Sequence, residues 1–272
     1  MIKRIVASVI LLPLLLLVLL WAPEICTALL FAVLAGIAAW ELLVGTDLVV
    51  ETRPVIYTVI VAALVPVWSY YGCDQTLAQA GILAFFLLLF MEMMLSHAKL
   101  DFRKIAVCFT GGLLIPYMLA SLVRIMDDDN RLLILVPFVI AFLSDSGAYF
   151  VGCAIGKHKM APVISPKKSW EGFFGGLITA ILGMLLYAFI MEKCFDLEVN
   201  YLFAGVYGLL GALGGVFGDL CFSVIKRQTG IKDYGNLIPG HGGVLDRFDS
   251  ILVVAPLVEL LLQWMPVVVN YG

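Results

Sequence analysis

The chain has 272 residues, of which 62% are apolar and only 14% are charged. An ordinary soluble domain carries about 25% charged residues, so this chain lacks the polar side chains needed to cover a water-facing surface. The formal net charge of −3 gives no broad basic field, which argues against nucleic acid as a partner. The composition therefore predicts a single integral membrane domain over residues 1–272.

Apolar runs long enough to cross a bilayer recur along the whole chain. A spanning helix needs about 20 mostly apolar residues, and a walk along the sequence predicts about nine such helices. Their approximate centres are Leu15, Leu34, Val61, Leu87, Leu114, Val139, Leu182, Leu210 and Leu257. The predicted fold is all-α and polytopic, with N-terminal helices of unassigned role over residues 1–130 and a catalytic half over residues 131–272.

The distribution of basic residues predicts the orientation of these helices. If the N-terminus is cytoplasmic, all but three of the 17 Lys and Arg residues fall in inner segments. The exceptions are Arg124, Arg131 and Lys193. Because inner loops of membrane proteins are enriched in Lys and Arg, this asymmetry predicts a cytoplasmic N-terminus.

The first inner segment with unusual chemistry follows the sixth apolar run, which carries Asp145. Ser165–Pro166 is typical of an N-cap and first helical residue, so a helix is predicted to begin there. Lys167 and Lys168, followed by Ser169, would then lie in its first turn, where cations are unfavourable unless an anion binds with them. These residues predict a phosphate site, although the enrichment of lysine in inner loops is an alternative explanation.

The eighth apolar run carries polar residues near its inner end. Asp219, Ser223 and Lys226 are spaced i, i+4 and i+7, which places carboxylate, hydroxyl and ammonium on one stripe of a helix. A carboxylate within a span is costly and usually faces the bundle interior with a partner. The stripe therefore predicts either a functional site or an Asp–Lys pair that fixes helix packing.

The loop before the ninth run is rich in glycine. Gly240, Gly242 and Gly243 permit close approach of backbone N–H groups to an anion, as in loops that cradle phosphates. A plain turn is the alternative for these glycines, and for His241 both a substrate contact and a structural hydrogen bond remain open.

Two acids follow this loop at the start of the ninth run. Asp246 and Asp249 are predicted to lie one helical turn apart and to face the same inner site. Several carboxylates beside phosphate-bearing substrates suit Mg2+, a hard cation that is commonly bound by one or two carboxylates together with substrate oxygens.

This C-terminal pattern resembles the signature of the phosphatidate cytidylyltransferase (CDP-diacylglycerol synthase) family of membrane enzymes. The matching positions are Ser223, Lys226-Arg227, Lys232-Asp233, Gly235, Ile238-Pro239, His241-Gly242-Gly243, Asp246-Arg247 and Asp249. The segments that begin at Ser144 and Ser165 also resemble the family, so the similarity covers roughly the second half of the chain.

The resemblance implies transfer of a cytidylyl group from CTP to phosphatidate, which gives CDP-diacylglycerol and pyrophosphate, with Mg2+ as cofactor and a monovalent cation such as K+ allowed beside it. It implies a metal centre held by Asp219 and Asp246, with Asp249 as a secondary ligand. The catalytic residues expected are Asp219, Lys226 and Asp246. The expected substrate-binding residues are Asp145, Lys167, Lys168, Ser169, Ser223, Arg227, Lys232, His241 and Arg247.

The expected setting is a bacterial inner membrane with the active site facing the cytoplasm, and a homodimer is left open. Two other functions remain as alternatives: a CTP-dependent enzyme acting on another lipid phosphate or on a lipid alcohol, and an ion-coupled transporter, which also has acids inside spans. A transporter has no need for a dense group of lysines, glycines and acids on one face of the membrane.

Overall fold

The structure is a computed structural model that describes residues 2–72, 74–96, 100–126, 130–237 and 242–268, with side chains from residue 11 onward. In these residues the fold is helical apart from one two-stranded sheet, which confirms the predicted all-α class. His241 and Gly240, predicted to lie near the substrates, are outside the described residues.

The elements follow the apolar runs of the sequence. In chain order they are α1 (Ile2–Trp21), α2 (Glu24–Gly45), α3 (Thr52–Tyr70), α4 (Gln75–Leu95), α5 (Phe102–Ile125), α6 (Arg131–Ile155), β1 (Lys159–Ala161), β2 (Ser165–Ser169), α7 (Trp170–Phe195), α8 (Tyr201–Gln228), α9 (Leu245–Phe248) and α10 (Ile251–Trp264). Helix α2 changes to π-helical geometry over its last turn, Glu41–Gly45, and α5 contains a similar π-helical turn at Thr110–Leu114.

Seven helices within the described part of the chain, α2 to α8, are long and apolar enough to cross a membrane. The stretch Ile251–Trp264 is apolar but, with 14 residues, shorter than the usual spanning length. Helix α1 has 20 residues and is apolar over Leu11–Trp21. Each of the nine predicted centres falls inside a helix. The chain is therefore an integral membrane protein built from many spanning helices.

The chain divides into two compact units. Unit 1 consists of residues 1–124 and 228–248, and unit 2 of residues 125–227 and 249–272. In unit 1, glycines allow close helix packing, because a Cβ at Gly36 would touch Val59 and Ala63 of α3 and a Cβ at Gly112 would crowd Phe85 of α4. Such small residues are what helix packing in a membrane favours.

The two faces of α7 show how unit 2 is built for lipid. Ala180, Met184 and Ala188, spaced four residues apart, are fully buried in the core of the unit. Leu182 and Leu186 on the other side are about 60% exposed. Because lipid tails are as apolar as leucine, an exposed leucine stripe is the expected surface of a helix in a bilayer.

A short hairpin precedes α7, and it corrects the predicted helix start at Ser165–Pro166. Residues Ser165–Ser169 form strand β2, which pairs antiparallel with β1. Helix α7 begins at Trp170, and Ser169 is its N-cap, accepting a hydrogen bond from Gly172 N at 3.2 Å. The prediction was wrong because Ser169, four residues further on, also has the cap chemistry, and the backbone of 165–169 pairs with β1.

Candidate active site

In unit 2 one cleft gathers polar side chains from α6, α8 and the hairpin. Its volume is about 260 Å3. The polar residues that line it are Asp145, Tyr149, Lys167, Lys168, Ser169 and Asp219. Pockets for small molecules usually enclose about 300–1,000 Å3, so this cleft has the size for part of a nucleotide rather than for a whole lipid.

Asp219 on α8 is held by two side chains in this cleft. The Ser223 hydroxyl donates to Asp219 Oδ1 at 3.1 Å, one turn further along the helix. Lys168 Nζ lies 2.7 Å from Asp219 Oδ2, and both side chains are only about one quarter exposed. Asp219 and Ser223 therefore meet as their spacing predicts, and β2 supplies a cation partner that the sequence did not predict.

Lys226 and Arg227 occupy the end of α8. Lys226 is 9% exposed, so its ammonium is held close to the protein rather than extended into solvent. Arg227 is exposed, and its Nε donates to the carbonyl of Ile164 in the hairpin turn at 3.2 Å. Arg227 therefore ties the hairpin to the helix that carries Asp219.

Asp249 lies in a turn, because α9 ends at Phe248 and α10 begins at Ile251. The predicted single helical turn joining it to Asp246 is therefore wrong. Burial of the carboxyl and the nearby charge of Asp219 raise the pKa of Asp249 to about 7. The charge of Lys226 and a hydrogen bond from Ser250 N lower this pKa, but by less. A crowded carboxyl of this kind favours a cation that relieves the repulsion.

Lys167 and Ser169 flank Lys168 on β2 but differ in environment. Lys167 is exposed at the cleft, whereas Ser169 is 6% exposed and uses its oxygen to cap α7. Asp145 on α6 is exposed and also lines the cleft. The structure thus brings the four predicted nucleotide-side residues to one cleft, with Ser169 already engaged through its oxygen.

In unit 1 the carboxylate of Asp246 is held by backbone donors. Tyr234 N donates to Asp246 Oδ2 at 2.8 Å and Gly243 N donates to the same oxygen at 3.0 Å. Asp246 is 7% exposed and belongs to the four-residue helix α9. Lys232 and Arg247, predicted to bind substrate, are exposed on the same unit.

The two described glycines of this loop, Gly242 and Gly243, form a turn that packs on Asp246. Gly242 has φ +86°, a left-handed conformation that other residues rarely adopt. The N–H of Gly243 is donated to Asp246 and is directed away from any external anion. The geometry of Gly243 therefore favours a tight turn around Asp246 over the predicted phosphate cradle.

Two acids that the sequence interpretation left without a role make strong contacts. Glu171 accepts hydrogen bonds from the backbone of Lys157 and His158 and from His158 Nδ1 at 2.6 Å, which fixes the loop before β1.

Glu41 in α2 is 1% exposed and accepts two backbone hydrogen bonds in unit 1. An acid inside an apolar run is a signal in itself, and this signal singles out Glu41.

The carboxylates described above suit a hard cation whose remaining ligands are waters and substrate oxygens. Among the described residues, no group of three or more His, Cys, Asp or Glu side chains forms a ready metal cage. Mg2+ is usually bound by one or two carboxylates together with waters and substrate phosphates, so a complete cage is not needed. The crowded acids Asp219 and Asp249 fit that pattern in unit 2, and Asp246 offers a further oriented carboxylate in unit 1.

The fold and these side chains define a polytopic helical membrane protein with lysines and carboxylates suited to phosphates. Comparison with known sequences identifies the family within this class. Residues 2–265 match the model of the Cytidylyltransferase family. The chain belongs to this family.

Three relatives carry the name phosphatidate cytidylyltransferase. The protein of Staphylococcus epidermidis is 37% identical over 188 residues, which cover 69% of this chain and 70% of the relative. That of Staphylococcus haemolyticus is 32% identical over 245 residues, covering 88% and 91%. That of Staphylococcus aureus is 46% identical over 129 residues, covering 47% and 48%.

Proposed function

We propose that this protein transfers the cytidylyl group of CTP to phosphatidate, with CDP-diacylglycerol and pyrophosphate as products. Membership of the Cytidylyltransferase family and the name shared by its relatives support the reaction. The observation in the site that carries it is the Lys168–Asp219 pair, which sets a cation and an anion side by side in a cleft of unit 2.

The chemistry needs positioning more than proton transfer. A phosphate oxygen of phosphatidate forms the new bond to the α-phosphorus of CTP, and the bond from that phosphorus to the bridging oxygen breaks, releasing pyrophosphate. A lipid phosphate is already largely ionised near neutral pH, so no strong base is required. The barrier comes from bringing two anions together, and fixed positive charge lowers it.

The acids of the site are proposed to hold the metal. Asp219 and Asp246 would bind Mg2+, with Asp249 as a secondary ligand, and a monovalent cation such as K+ is compatible with the remaining carboxylate oxygens. When bound, Mg2+ supplies charge neutralisation at the phosphates of CTP. The Lys168 ammonium occupies one oxygen of Asp219 in the structure, so metal binding at that oxygen requires Lys168 to turn toward a phosphate.

The basic residues are proposed to divide between the two substrates. Asp145, Lys167, Lys168 and Ser169 form the nucleotide side. The side chains assigned to the lipid phosphate and the departing pyrophosphate are Lys226, Arg227, Lys232 and Arg247, with His241 and Ser223 as further polar contacts. Lys226 is the best placed of these for catalysis, because it is nearly buried next to the acids of unit 2.

The setting is proposed from the sequence. About nine spans follow from the apolar runs of the sequence. A cytoplasmic N-terminus and an active site facing the cytoplasm follow from the distribution of Lys and Arg. A bacterial inner membrane supplies both phosphatidate and access to cytosolic CTP. A homodimer is compatible with the small residues on several helices.

The test is a purified-protein assay in mixed micelles that measures CDP-lipid and pyrophosphate together. We expect both products in equal amounts with CTP, phosphatidate and Mg2+, and neither after chelation of the metal. ATP in place of CTP, and diacylglycerol in place of phosphatidate, should give no product. Product from diacylglycerol but not from phosphatidate would replace the proposal with an enzyme acting on a lipid alcohol.

A further inference from the structure

Glu41 is an acidic side chain buried within the N-terminal helices, and the sequence analysis assigned it no role. It lies at the start of the π-helical turn of α2 and is 1% exposed. A buried carboxylate in an apolar helix is unfavourable unless its oxygens are hydrogen-bonded. π-Helical turns of this kind occur often at functional sites.

Both oxygens of Glu41 accept hydrogen bonds from the loop that carries Asp246. Val244 N donates to Oε1 and Leu245 N donates to Oε2, each at 2.9 Å. These N–H groups stand at the beginning of α9, where a helix has no backbone acceptors of its own. Glu41 therefore caps, from a distant part of the chain, the short helix to which Asp246 belongs.

Glu41 and Asp246 divide one run of backbone donors between them. The N–H of Gly243 points to Asp246, and those of Val244 and Leu245 point to Glu41. Three successive backbone N–H groups thus donate hydrogen bonds to two carboxylates. Moving the Glu41 carboxylate would reorient this backbone and, with it, the oxygen of Asp246.

Glycines make the close approach possible. A Cβ at Gly235 would lie 2.6 Å from Glu41 Oε1, and a Cβ at Gly243 would clash with the same carboxylate. On the helix side, a Cβ at Gly45 would clash with the carbonyl of Tyr234. Side chains at these positions would have to displace either Glu41 or the loop.

We propose that Glu41 is a positioning residue, which sets the orientation of Asp246 by anchoring the backbone of residues 243–245. The catalytic consequence rests on the proposed role of Asp246 in metal binding. The anchoring itself does not depend on that role. Through Glu41, the N-terminal helices thereby contribute to the orientation of Asp246.

The first experiment replaces Glu41 by Gln and follows amide hydrogen exchange in the full-length protein without substrate. Gln keeps one acceptor and turns an NH2 group toward the second donor, so one of the two hydrogen bonds is lost. We expect exchange in residues 242–248 to accelerate by about tenfold or more, as for loss of a hydrogen bond to a charged group. Glu92→Gln is the matched control, because among the described residues Glu92 pairs with the largely exposed Arg53 at the long distance of 3.8 Å.

Two exchange results would overturn the proposal. Unchanged exchange in residues 242–248 would show that Glu41 does not anchor the loop. Faster exchange throughout unit 1 would show that Glu41 serves only general stability. Faster exchange confined to the loop is the supporting result, and it is independent of any enzymatic activity.

A second experiment uses the contact between Glu41 and Gly243. Gly243→Ala should loosen the loop because the new Cβ pushes the carboxylate away, and Glu41→Ala should loosen it by removing the carboxylate. In the double variant, Glu41→Ala with Gly243→Ala, the new Cβ has no carboxylate to clash with. The combined acceleration of loop exchange should therefore be clearly smaller than the product of the two single effects. Independent, multiplying effects would contradict the proposed contact.

Kinetics then separate anchoring from function. With Asp246 as a metal ligand, Glu41→Gln should raise the Mg2+ concentration that gives half-maximal activity by about tenfold, while KM for phosphatidate changes little. A loosened loop with unchanged kinetics would overturn the positioning role. Failure of Asp246→Asn to alter Mg2+ dependence would overturn the proposed metal site and leave the anchoring result intact.

Discussion

Asp219 and Asp246 are the two acids at the centre of the proposed reaction, and the two units hold them in different ways. In unit 2, Asp219 is contacted by the side chains of Ser223 and Lys168. In unit 1, Asp246 is contacted by backbone N–H groups, one of them from a loop segment that is anchored in turn by Glu41. One carboxylate has partners that can rotate away, and the other has partners fixed by the chain.

This difference separates two tasks. A carboxylate fixed by backbone amides keeps its geometry whether or not a ligand is bound, as a preorganised group should. A carboxylate paired with a lysine can exchange that cation for a metal or release the lysine to a phosphate. We infer that Asp246 provides a constant orientation and that Asp219 provides the exchangeable contact.

The largest expected effect comes from neutralising either acid. Asp219→Asn and Asp246→Asn should each lower CDP-diacylglycerol synthesis by about 10²- to 10³-fold, the range for loss of one preorganised electrostatic group. Rates are compared at saturating CTP after folding is checked by thermal unfolding. Asp196→Asn in unit 2 and Asp47→Asn in unit 1 are matched controls, because both are exposed at positive φ, which Asn tolerates. Near wild-type activity of the Asp219 and Asp246 variants would contradict their roles.

The next largest effect tests whether Lys168 can leave Asp219 and contact a phosphate of CTP. Lys168→Met should lower kcat/KM for CTP by about 10- to 100-fold, as expected for loss of a charge-assisted hydrogen bond. Most of the loss should appear in KM for CTP, because Lys168 is proposed to contact a phosphate of the nucleotide. Lys193→Met is the control, since Lys193 pairs with the neighbouring Glu192 and is 58% exposed. An equal loss in both variants would argue against a nucleotide contact.

A smaller effect is expected for the hydroxyl that orients Asp219. Ser223→Ala removes the 3.1 Å hydrogen bond to Oδ1 but keeps the Lys168 pair. We expect a loss of about threefold to tenfold in kcat/KM, the equivalent of one neutral hydrogen bond. Ser96 directly follows α4, and its hydroxyl donates to the Met93 carbonyl, so Ser96→Ala should leave the rate unchanged. A loss as large as that of Asp219→Asn would mean that Ser223 itself contacts substrate.

The smallest effect on activity is expected from helix packing beneath the cleft. A Cβ at Gly147 of α6 would clash with the Thr179 side chain of α7. Gly147→Ala should therefore lower the free energy of unfolding by about 1–3 kcal/mol, as overpacking does, and change kcat little. Thermal unfolding in detergent measures the loss. Gly205→Ala on α8 is the control, because its Cβ would meet no atom within 4 Å. Equal unfolding temperatures would contradict the tight α6–α7 contact.

Hydropathy predicted the helices because each span is specified by its own composition, and all nine predicted centres lie in helices. The same local reasoning failed at Ser165–Pro166, where the sequence has the chemistry of a cap but the backbone forms a strand paired with β1. It failed again at Asp249, which lies in a turn between two helices. At Ser165–Pro166, pairing with the neighbouring strand outweighs the local cap pattern.

In the candidate site, a contact between neighbours on one helix was predicted from the sequence, whereas contacts between distant residues were not. Asp219 and Ser223 share one helix, so their spacing was enough to bring them together. The Lys168–Asp219 pair and the Glu41 contacts join residues far apart in the chain, and periodicity carries no information about such pairs. Glu41 was detectable only as an isolated acid in an apolar run, which signals a partner without naming it.

The separation between Glu41 and Val244 sets an order for biosynthesis. The ribosome makes Glu41 203 residues before its hydrogen-bond donor, a delay of about 10 to 40 s at ordinary elongation rates. During that time the nascent N-terminal helices hold a carboxylate whose final donors do not yet exist. Completion of unit 1 must therefore wait until Val244 and Leu245 have been synthesised.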